Sequence, residues 1–255
     1  MAGEELVRED HDGVARLWLK RPAKRNAITE ALYVALRDNL REIARDGAIR
    51  LVVFRSGVPG VFCAGADIGT MADPHPAELS RQFDLLLNCL EAFRACVKPI
   101  MTVVDGDCFG VGCALVAASD IAIARADARF ALPEIKLGLA PVLAMAALAP
   151  VVAQRQLVLW SVTGGHFSAE EARAAGLLTS LVAGDALDSY ATRLVDELIR
   201  ADGAALAQVK ATARMVYGAG SPGTRDRLMR DMVAAATAPA ARTAIENFLQ
   251  RRRRH

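Results

Sequence analysis

The chain opens with short segments of alternating polarity and continues into longer segments with a helical period. ELVRED and VARLWL flank HDG, and their alternation predicts a β-hairpin with HDG as its turn. From residue 29 apolar residues recur every three or four positions, which predicts a helix capped by Thr29. The residues with this spacing are Leu32, Leu36, Leu40 and Ile43. The continuous apolar run IRLVVFRS then predicts a buried strand.

The middle of the chain repeats the order strand, loop and helix. The glycine-rich GVPGVFCAGADIGT is expected to be a loop, and a helix is expected from about Ala77 to Val97. KPIMTVVDG and DIAIARADARFAL predict two more strands. Strands separated by helices favour an α/β core with a largely parallel sheet buried on both faces. After Pro150 almost everything is predicted to be helical, which gives the core a helical C-terminal third.

Composition narrows the class of protein. The 255 residues are 53% hydrophobic and 24% charged, as in a soluble globular protein. The 31 Lys and Arg residues nearly balance the 29 Asp and Glu residues, which gives no reason to expect a nucleic-acid partner. MAGEELVRED lacks the apolar core of a secretory signal or membrane anchor, so a cytoplasmic location is expected.

The cysteines point to buried thiols rather than to bridges or ligands. Their number is odd and no CxxC pair occurs, which argues against a disulfide framework and a structural zinc site. No metal is expected. The five residues are Cys63, Cys89, Cys96, Cys108 and Cys113.

Residues 137–153 form an uncharged stretch, LGLAPVLAMAALAPVVA. Its length approaches the roughly 18 apolar residues that cross a bilayer. Pro141 and Pro150 interrupt it, and alanine favours insertion less than leucine does. We therefore expect a buried core segment or a subunit interface, and no membrane partner.

Two segments share the order strand, glycine-bearing loop and helix start: residues 62–67 and 109–113. A helix start exposes unpaired N–H groups, and glycine lets a ligand approach the backbone. Such donors can stabilise an oxyanion. Taken singly, each loop is explained better by the conformational needs of a tight turn than by function. GVGCAL completes neither a P-loop nor a Rossmann motif.

Glu134 is the candidate acid or base. It lies in FALPEIKLGLAP, where apolar neighbours should raise the pKa of its carboxyl group toward the range useful for proton transfer. A first-turn acid after Pro133 is an equally good interpretation. The RRRR at 251–254 is typical of a solvated helix end, and it also suits a phosphate contact.

An ordered series of motifs resembles the enoyl-CoA hydratase/isomerase (crotonase) family. The matching segments are KRPAKRNAI (20–28), FCAGADI (62–68), KPIMTVVDGDCFGVGCAL (98–115), SDIAIARADARFALPEIKLGLAP (119–141) and TGGHFSAEEARAAGLL (163–178). They cover most of the chain up to about Val182, and the C-terminal helices match only loosely. The spacing of five segments makes the resemblance specific for the fold.

The resemblance implies an α/β fold of the ClpP/crotonase type, a spiral of ββα units. It implies a core over residues 1–182 that binds CoA thioesters. Residues 183–255 are then a helical region for trimerisation and active-site cover. The implied assembly is a homotrimer or a dimer of trimers. The substrates are acyl-CoA thioesters, so no separate cofactor is expected.

The resemblance also assigns site residues. The thioester oxygen is expected at the backbone N–H groups of Ala66 and Val111, with Glu134 as the catalytic residue. Further residues are expected to bind CoA or substrate. They are Lys20, Pro22, Lys24, Arg25, Ala27, Ala64, Asp67, Ile68, Gly110 and Pro133.

Three positions depart from the family pattern. Hydratases place two glutamates around the substrate, and the first of them falls on Ala114, which marks a lost catalytic position. Val111 replaces a glycine but keeps its N–H, and Val142 stands where dienoyl isomerases carry an acid. A single glutamate suffices to move a double bond, whereas hydration also needs a positioned water.

Three functions follow from these departures. The first is an enoyl-CoA isomerase in which Glu134 is the sole acid and base. The second is an enoyl-CoA hydratase that holds water with a residue the sequence does not identify. The third is an acyl-CoA-binding protein without catalysis. Acyl-chain length and pathway stay open.

Overall fold

The computed structural model describes residues 5–71, 75–217 and 239–252, together with residues 226, 229, 230, 233, 234 and 237. Within these residues the strands are Leu6–His11 (β1), Val14–Leu19 (β2), Leu51–Ser56 (β3), Gly60–Cys63 (β4), Ile100–Val104 (β5), Gly106–Phe109 (β6), Ile121–Arg125 (β7), Arg129–Ala131 (β8), His166–Ser168 (β9) and Ser180–Val182 (β10).

Helices connect and cover these strands. The α-helices are Glu30–Arg45 (α1), Pro76–Ala95 (α2), Val111–Ala118 (α3), Val142–Leu148 (α4), Gln154–Thr163 (α5), Ala169–Ala174 (α6), Leu187–Leu198 (α7), Gly203–Tyr217 (α8) and Pro239–Arg252 (α9). Short 3-10 turns span Pro22–Lys24, Ile68–Met71, Pro133–Leu137 and Gly184–Ala186.

The strands divide between two sheets. One sheet has the order β1-β2-β3-β5-β7-β10 and the other β4-β6-β8-β9. Each of the pairs β3/β4, β5/β6 and β7/β8 places its first strand in the larger sheet and its second in the smaller one. Neighbouring strands of successive units pair in parallel. The chain thus winds as a spiral of ββα units, which confirms the fold class.

Short strands in both sheets correct several expectations. DIAIARADARFAL is two strands, β7 and β8, rather than one. The loop GVPGVFCAGADIGT contains β4, and β9 and β10 interrupt the region after Pro150 that was predicted to be helical. The strands β4, β8, β9 and β10 have only three or four residues, too few to show an apolar period. They form through pairing with distant segments, and a Cβ at Gly106 would lie 2.1 Å from the Gly60 carbonyl carbon.

The long-period elements agree with the sequence. The β1–β2 hairpin turns at Asp12 and Gly13, whose φ angles of 51° and 80° suit a type I′ turn. Thr29 caps α1 by accepting a hydrogen bond from the Leu32 N–H at 3.2 Å. The apolar face predicted for α1 is buried in the main core.

The uncharged stretch 137–153 belongs to the core. Leu139, Leu143, Leu148 and Val152 are buried there. Across the described part of the chain, no helix is both long and apolar enough to cross a membrane. All five cysteines are free and buried, as predicted. The split between residues 1–182 and 183–255 stays a prediction, since parts of the second region lie outside the described residues.

Candidate active site

A cavity of about 710 Å³ opens between the loop after β4, the start of α3 and the Pro133–Leu137 turn. Helices α1, α2, α4 and α9 complete its wall. Most of the predicted site residues line it: Lys24, Arg25, Ala27, Ala64, Ala66, Asp67, Ile68, Gly110, Val111, Pro133 and Glu134. The fold therefore brings together segments that are more than a hundred residues apart in the chain.

The loop after β4 is fixed by hydrogen bonds to Ile28. The Ile28 N–H donates to the Gly65 carbonyl at 2.8 Å, and the Asp67 N–H donates to the Ile28 carbonyl at 2.9 Å. Backbone N–H groups alternate in direction along an extended segment, so the Ala66 N–H between them points away from Ile28. Ala66 also lines the cavity, so its backbone is within reach of a ligand bound there.

A buried polar network supports the same loop from below. Asn26 is fully buried, and its side-chain amide donates to the Ser56 hydroxyl at 2.8 Å and to the Phe62 carbonyl at 3.0 Å. Its Oδ1 accepts from the Arg21 N–H at 2.8 Å. Asn26 adopts a left-handed φ of 55°, which asparagine tolerates better than most residues. The network ties the end of β4 to the segment before α1.

The loop before α3 depends on glycine instead. Gly110 precedes the helix with φ 51° and ψ −115°, and its N–H donates to the Ala131 carbonyl at 2.9 Å. Val111 is the first residue of α3, where backbone N–H groups have no partner within the helix. Val111 also lines the cavity, and its side chain is mostly buried.

The two loops touch at their glycines. A Cβ at Gly110 would lie 3.7 Å from the Gly65 Cα, and a Cβ at Gly65 would lie 3.5 Å from the Phe109 carbonyl oxygen. The Ala66 and Val111 backbones therefore line one cavity from adjacent loops. Two such N–H groups can stabilise a negative oxygen, with about 3 to 4 kcal/mol per donor in measured cases.

Glu134 lies beside the second loop. Its Oε1 would be 2.7 Å from a Cβ at Gly110, so a side chain at position 110 would displace the Glu134 carboxyl group. Its Oε2 is buried and has no hydrogen-bond partner among the described residues. Burial raises the pKa of Glu134 to about 7, and a hydrogen bond from its own backbone N–H offsets part of this rise. The group can therefore exchange a proton near neutral pH.

The other carboxylates on the cavity wall are engaged with arginines. Glu30 pairs with Arg81, and one of these contacts is 2.8 Å. Asp67 pairs with Arg21 at 2.9 Å. Among the described wall residues, Glu134 is the one carboxylate without a cation beside it.

Three predicted residues lie outside the cavity wall. Lys20 lies over the Trp18 ring at 5.9 Å, and its aliphatic part covers Gly57. Pro22 begins the 3-10 turn that precedes the site. Ala114 is 0% exposed and packs in the main core, because the first turn of α3 is buried on every side.

The structure adds wall residues that the sequence did not single out. Asn247 and Arg251, one helical turn apart on α9, place the C-terminal helix over the cavity. Arg252 ends α9, and residues 253–255 of the basic tail lie outside the described part. Tyr33 also lines the cavity. The sequence did not predict that Tyr33 lines the cavity. The helical period shows which positions of α1 are buried, but not what they are buried against.

The fold and the site define a class of protein. A spiral of ββα units with two adjacent amide-bearing loops and one glutamate whose carboxyl group is partly buried is the crotonase arrangement. An enoyl-CoA hydratase from Mycobacterium avium, 29% identical, superposes with a TM-score of 0.85 over 97% of this chain and 96% of that chain. Human enoyl Coenzyme A hydratase domain-containing protein 3, 25% identical, gives 0.81 over 97% and 98%.

The sequence comparisons agree with this class. The model of the enoyl-CoA hydratase/isomerase family matches residues 9–254, well beyond the motifs that end near Val182. The 2,3-dehydroadipyl-CoA hydratase of Escherichia coli is 33% identical over 212 residues, which are 82% of either chain. The chain therefore belongs to the enoyl-CoA hydratase/isomerase family, whose members are enzymes of acyl-CoA thioesters.

Proposed function

We propose that the protein is an enoyl-CoA isomerase in which Glu134 is the sole acid and base. The observation that carries this proposal is the position of Glu134. It is the unpaired carboxylate on the wall of the cavity, against the loop that presents the Val111 N–H. Ala114, where a second glutamate would stand, supplies no group that transfers protons.

The proposed reaction moves a double bond from carbons 3 and 4 to carbons 2 and 3. The ionised Glu134 takes a proton from carbon 2, and negative charge spreads to the thioester oxygen. The N–H groups of Ala66 and Val111 stabilise that charge. Glu134 then returns the proton to carbon 4, which regenerates the carboxylate. The reaction neither consumes nor releases water, and it needs one base that reaches both carbons.

The entrance of the cavity suits the phosphates of coenzyme A. Lys24, Arg25, Lys136 and Arg251 line the cavity and carry positive charge. The Arg25 guanidinium is held at 2.6 Å by Asp107, which also binds Arg129 at 2.9 Å. Burial opposes ionisation of Asp107, but the two arginines outweigh it and hold its pKa below the usual range. In this proposal coenzyme A is part of the substrate and no other cofactor is required.

Replacement of the carboxyl group tests the proposal. Glu134→Gln should lower kcat for 3-enoyl-CoA isomerisation by about 100-fold or more, the usual range for a general base. Glu170→Gln, an exposed change on α6, is the matched control and should retain the rate. Wild-type kcat should rise with pH and level off above about 7, since Glu134 must be ionised. A folded Glu134→Gln enzyme with normal turnover would refute the assignment.

Hydration of 2-enoyl-CoA is the second candidate. The relatives favour it, because the Escherichia coli protein is named as a hydratase and a 31% identical protein of Syntrophomonas wolfei as crotonyl-CoA hydratase. Initial rates with paired 2-enoyl-CoA and 3-enoyl-CoA substrates of one chain length separate the two reactions. Activity confined to the 2-enoyl series would replace isomerisation with hydration.

We also propose a homotrimer or a dimer of trimers. Support comes from an exposed apolar strip on α5 and the turn before it, formed by Val151, Val158, Leu159 and Val162. Light scattering should give a mass three or six times that of the chain. Val158→Glu with Val162→Glu should reduce it, and a monomeric wild type would refute the proposal.

A further inference from the structure

Tyr33 is a polar residue on a largely apolar part of the cavity wall. It lies one turn after Glu30 on α1, and both side chains line the cavity because residues three apart share a helix face. The Tyr33 side chain is only 5% exposed, so what little surface it keeps matters for the site. Apolar wall residues from α2 and α4 include Phe83, Leu86 and Leu143.

The Tyr33 hydroxyl has no hydrogen-bond partner among the described residues. Nor is it one of the unpartnered polar atoms that are completely buried, so part of its surface is accessible. The hydroxyl therefore faces the cavity. A buried polar group left without a partner is destabilising, and an oxygen inside the cavity would supply the missing hydrogen bond.

The Tyr33 hydroxyl stays protonated in the cavity that Glu134 also lines. Burial raises the pKa of Tyr33 well above its ordinary value, and the nearby thiols of Cys63 and Cys89 and the carboxyl of Glu134 act in the same direction. A neutral phenol both donates and accepts a hydrogen bond. Tyr33 can therefore orient a water molecule within the cavity that holds the proposed proton-transfer group, without titrating itself.

We propose that Tyr33 holds the water that adds to carbon 3 of a 2-enoyl-CoA, in place of the carboxylate missing at Ala114. This inference rests on the proposed role of Glu134. The water oxygen bonds to carbon 3, and the electron pair of the double bond forms a bond from carbon 2 to the proton of the Glu134 carboxylic acid. The resulting carboxylate takes the proton that the water loses. Glu134 ends as it began, and Tyr33 remains a neutral phenol.

Tyr33→Phe removes this one oxygen and retains the ring that packs in the core. We expect hydration of 2-enoyl-CoA to fall about tenfold, the size of effect expected when one hydrogen bond to the reacting water is lost. Isomerisation of 3-enoyl-CoA should stay within about twofold, because it uses no water. Binding of saturated butyryl-CoA should not change. The matched control is Tyr190→Phe on α7. It also removes one phenol hydroxyl, which contacts the Ser180 hydroxyl at 3.2 Å.

The outcomes separate this inference from the proposed function. Equal loss of both reactions in a folded Tyr33→Phe enzyme would show a packing role and overturn the inference. So would unchanged hydration. A wild-type enzyme that isomerises but does not hydrate would overturn the inference alone. A Glu134→Gln enzyme that retains both reactions would remove the proposed function beneath it.

Discussion

The two loops that carry the proposed donors are held in place by different physics. The loop with Ala66 is fastened by side-chain hydrogen bonds, which run from Asn26 and Arg21 to its backbone and neighbours. The loop with Val111 is fastened by close packing, because Gly110 and Gly112 leave no room for a side chain. A Cβ at Gly112 would lie 2.9 Å from the Cys63 Cβ. Loss of one polar contact leaves the other contacts in place, whereas one added carbon at Gly110 or Gly112 meets another atom within 3 Å.

Gly110→Ala should have the largest effect, because it disturbs the loop that is held by close packing. The new Cβ would meet Glu134 Oε1 at 2.7 Å, and φ of 51° is strained for alanine. It displaces the donor loop and the acid together, so kcat should fall about 1,000-fold. Steady-state rates measure this, and butyryl-CoA binding shows whether the cavity survives. Wild-type kcat in this variant would show that the second loop is not tightly constrained.

Glu134→Gln should change how the stability of the protein depends on pH. The pKa of about 7 in the fold lies above its ordinary 4.5, so the folded state favours the protonated acid. That favourable contribution is complete below pH 4.5 and is lost as pH rises through 7. Glutamine keeps the shape without ionising. The free energy of unfolding of the variant should equal that of the wild type near pH 4 and exceed it by about 3 kcal/mol at pH 8.

Chemical denaturation of both proteins at several pH values measures this difference. Glu170→Gln, which is exposed, serves as the control and should show little pH-dependent change. A constant difference between Glu134→Gln and wild type from pH 4 to 8 would contradict the raised pKa.

Asn26→Ala tests the polar fastening of the first loop. It removes two donated hydrogen bonds and one accepted bond inside the core, and leaves the Phe62 carbonyl with one partner fewer. The free energy of unfolding should fall by about 2 kcal/mol. Asn39→Ala, which removes one half-buried bond to the Ala35 carbonyl, is the control and should cost less. Equal costs in thermal or urea unfolding would refute a special role for Asn26.

Arg21→Lys should have the smallest effect. Arg21 bridges Glu5 at 2.8 Å, Asp67 at 2.9 Å and the Ala27 carbonyl at 3.0 Å. Lysine keeps the charge but not the fork that spans these partners. Unfolding should lose about 1 kcal/mol, since these pairs are partly exposed to solvent. If the loss equals that of Asn26→Ala, the loop is held from its surface as firmly as from its core.

Prediction from the sequence succeeded for segments long enough to show a periodic pattern. It failed for short strands that pair with distant segments. The face of α1 and the β1–β2 hairpin are written in local patterns of side chains. The strands β4, β8 and β9 are not, because their few residues become strands only by pairing across the small sheet. Tyr33 shows the same limit within the site. Its neighbours in the sequence predict burial but not the cavity against which it is buried.

The sequence by itself determined the family, the glycines at both loops and the glutamate at position 134, because each of these depends on residue type and spacing. The resemblance implied that the two loops meet, and only the tertiary structure decided through which atoms they do so and that Glu134 lies against Gly110. It also decided that Ala114 is sealed in the core while Tyr33 faces the cavity. These facts depend on contacts between segments far apart in the chain, which form when strands from successive turns of the spiral pair.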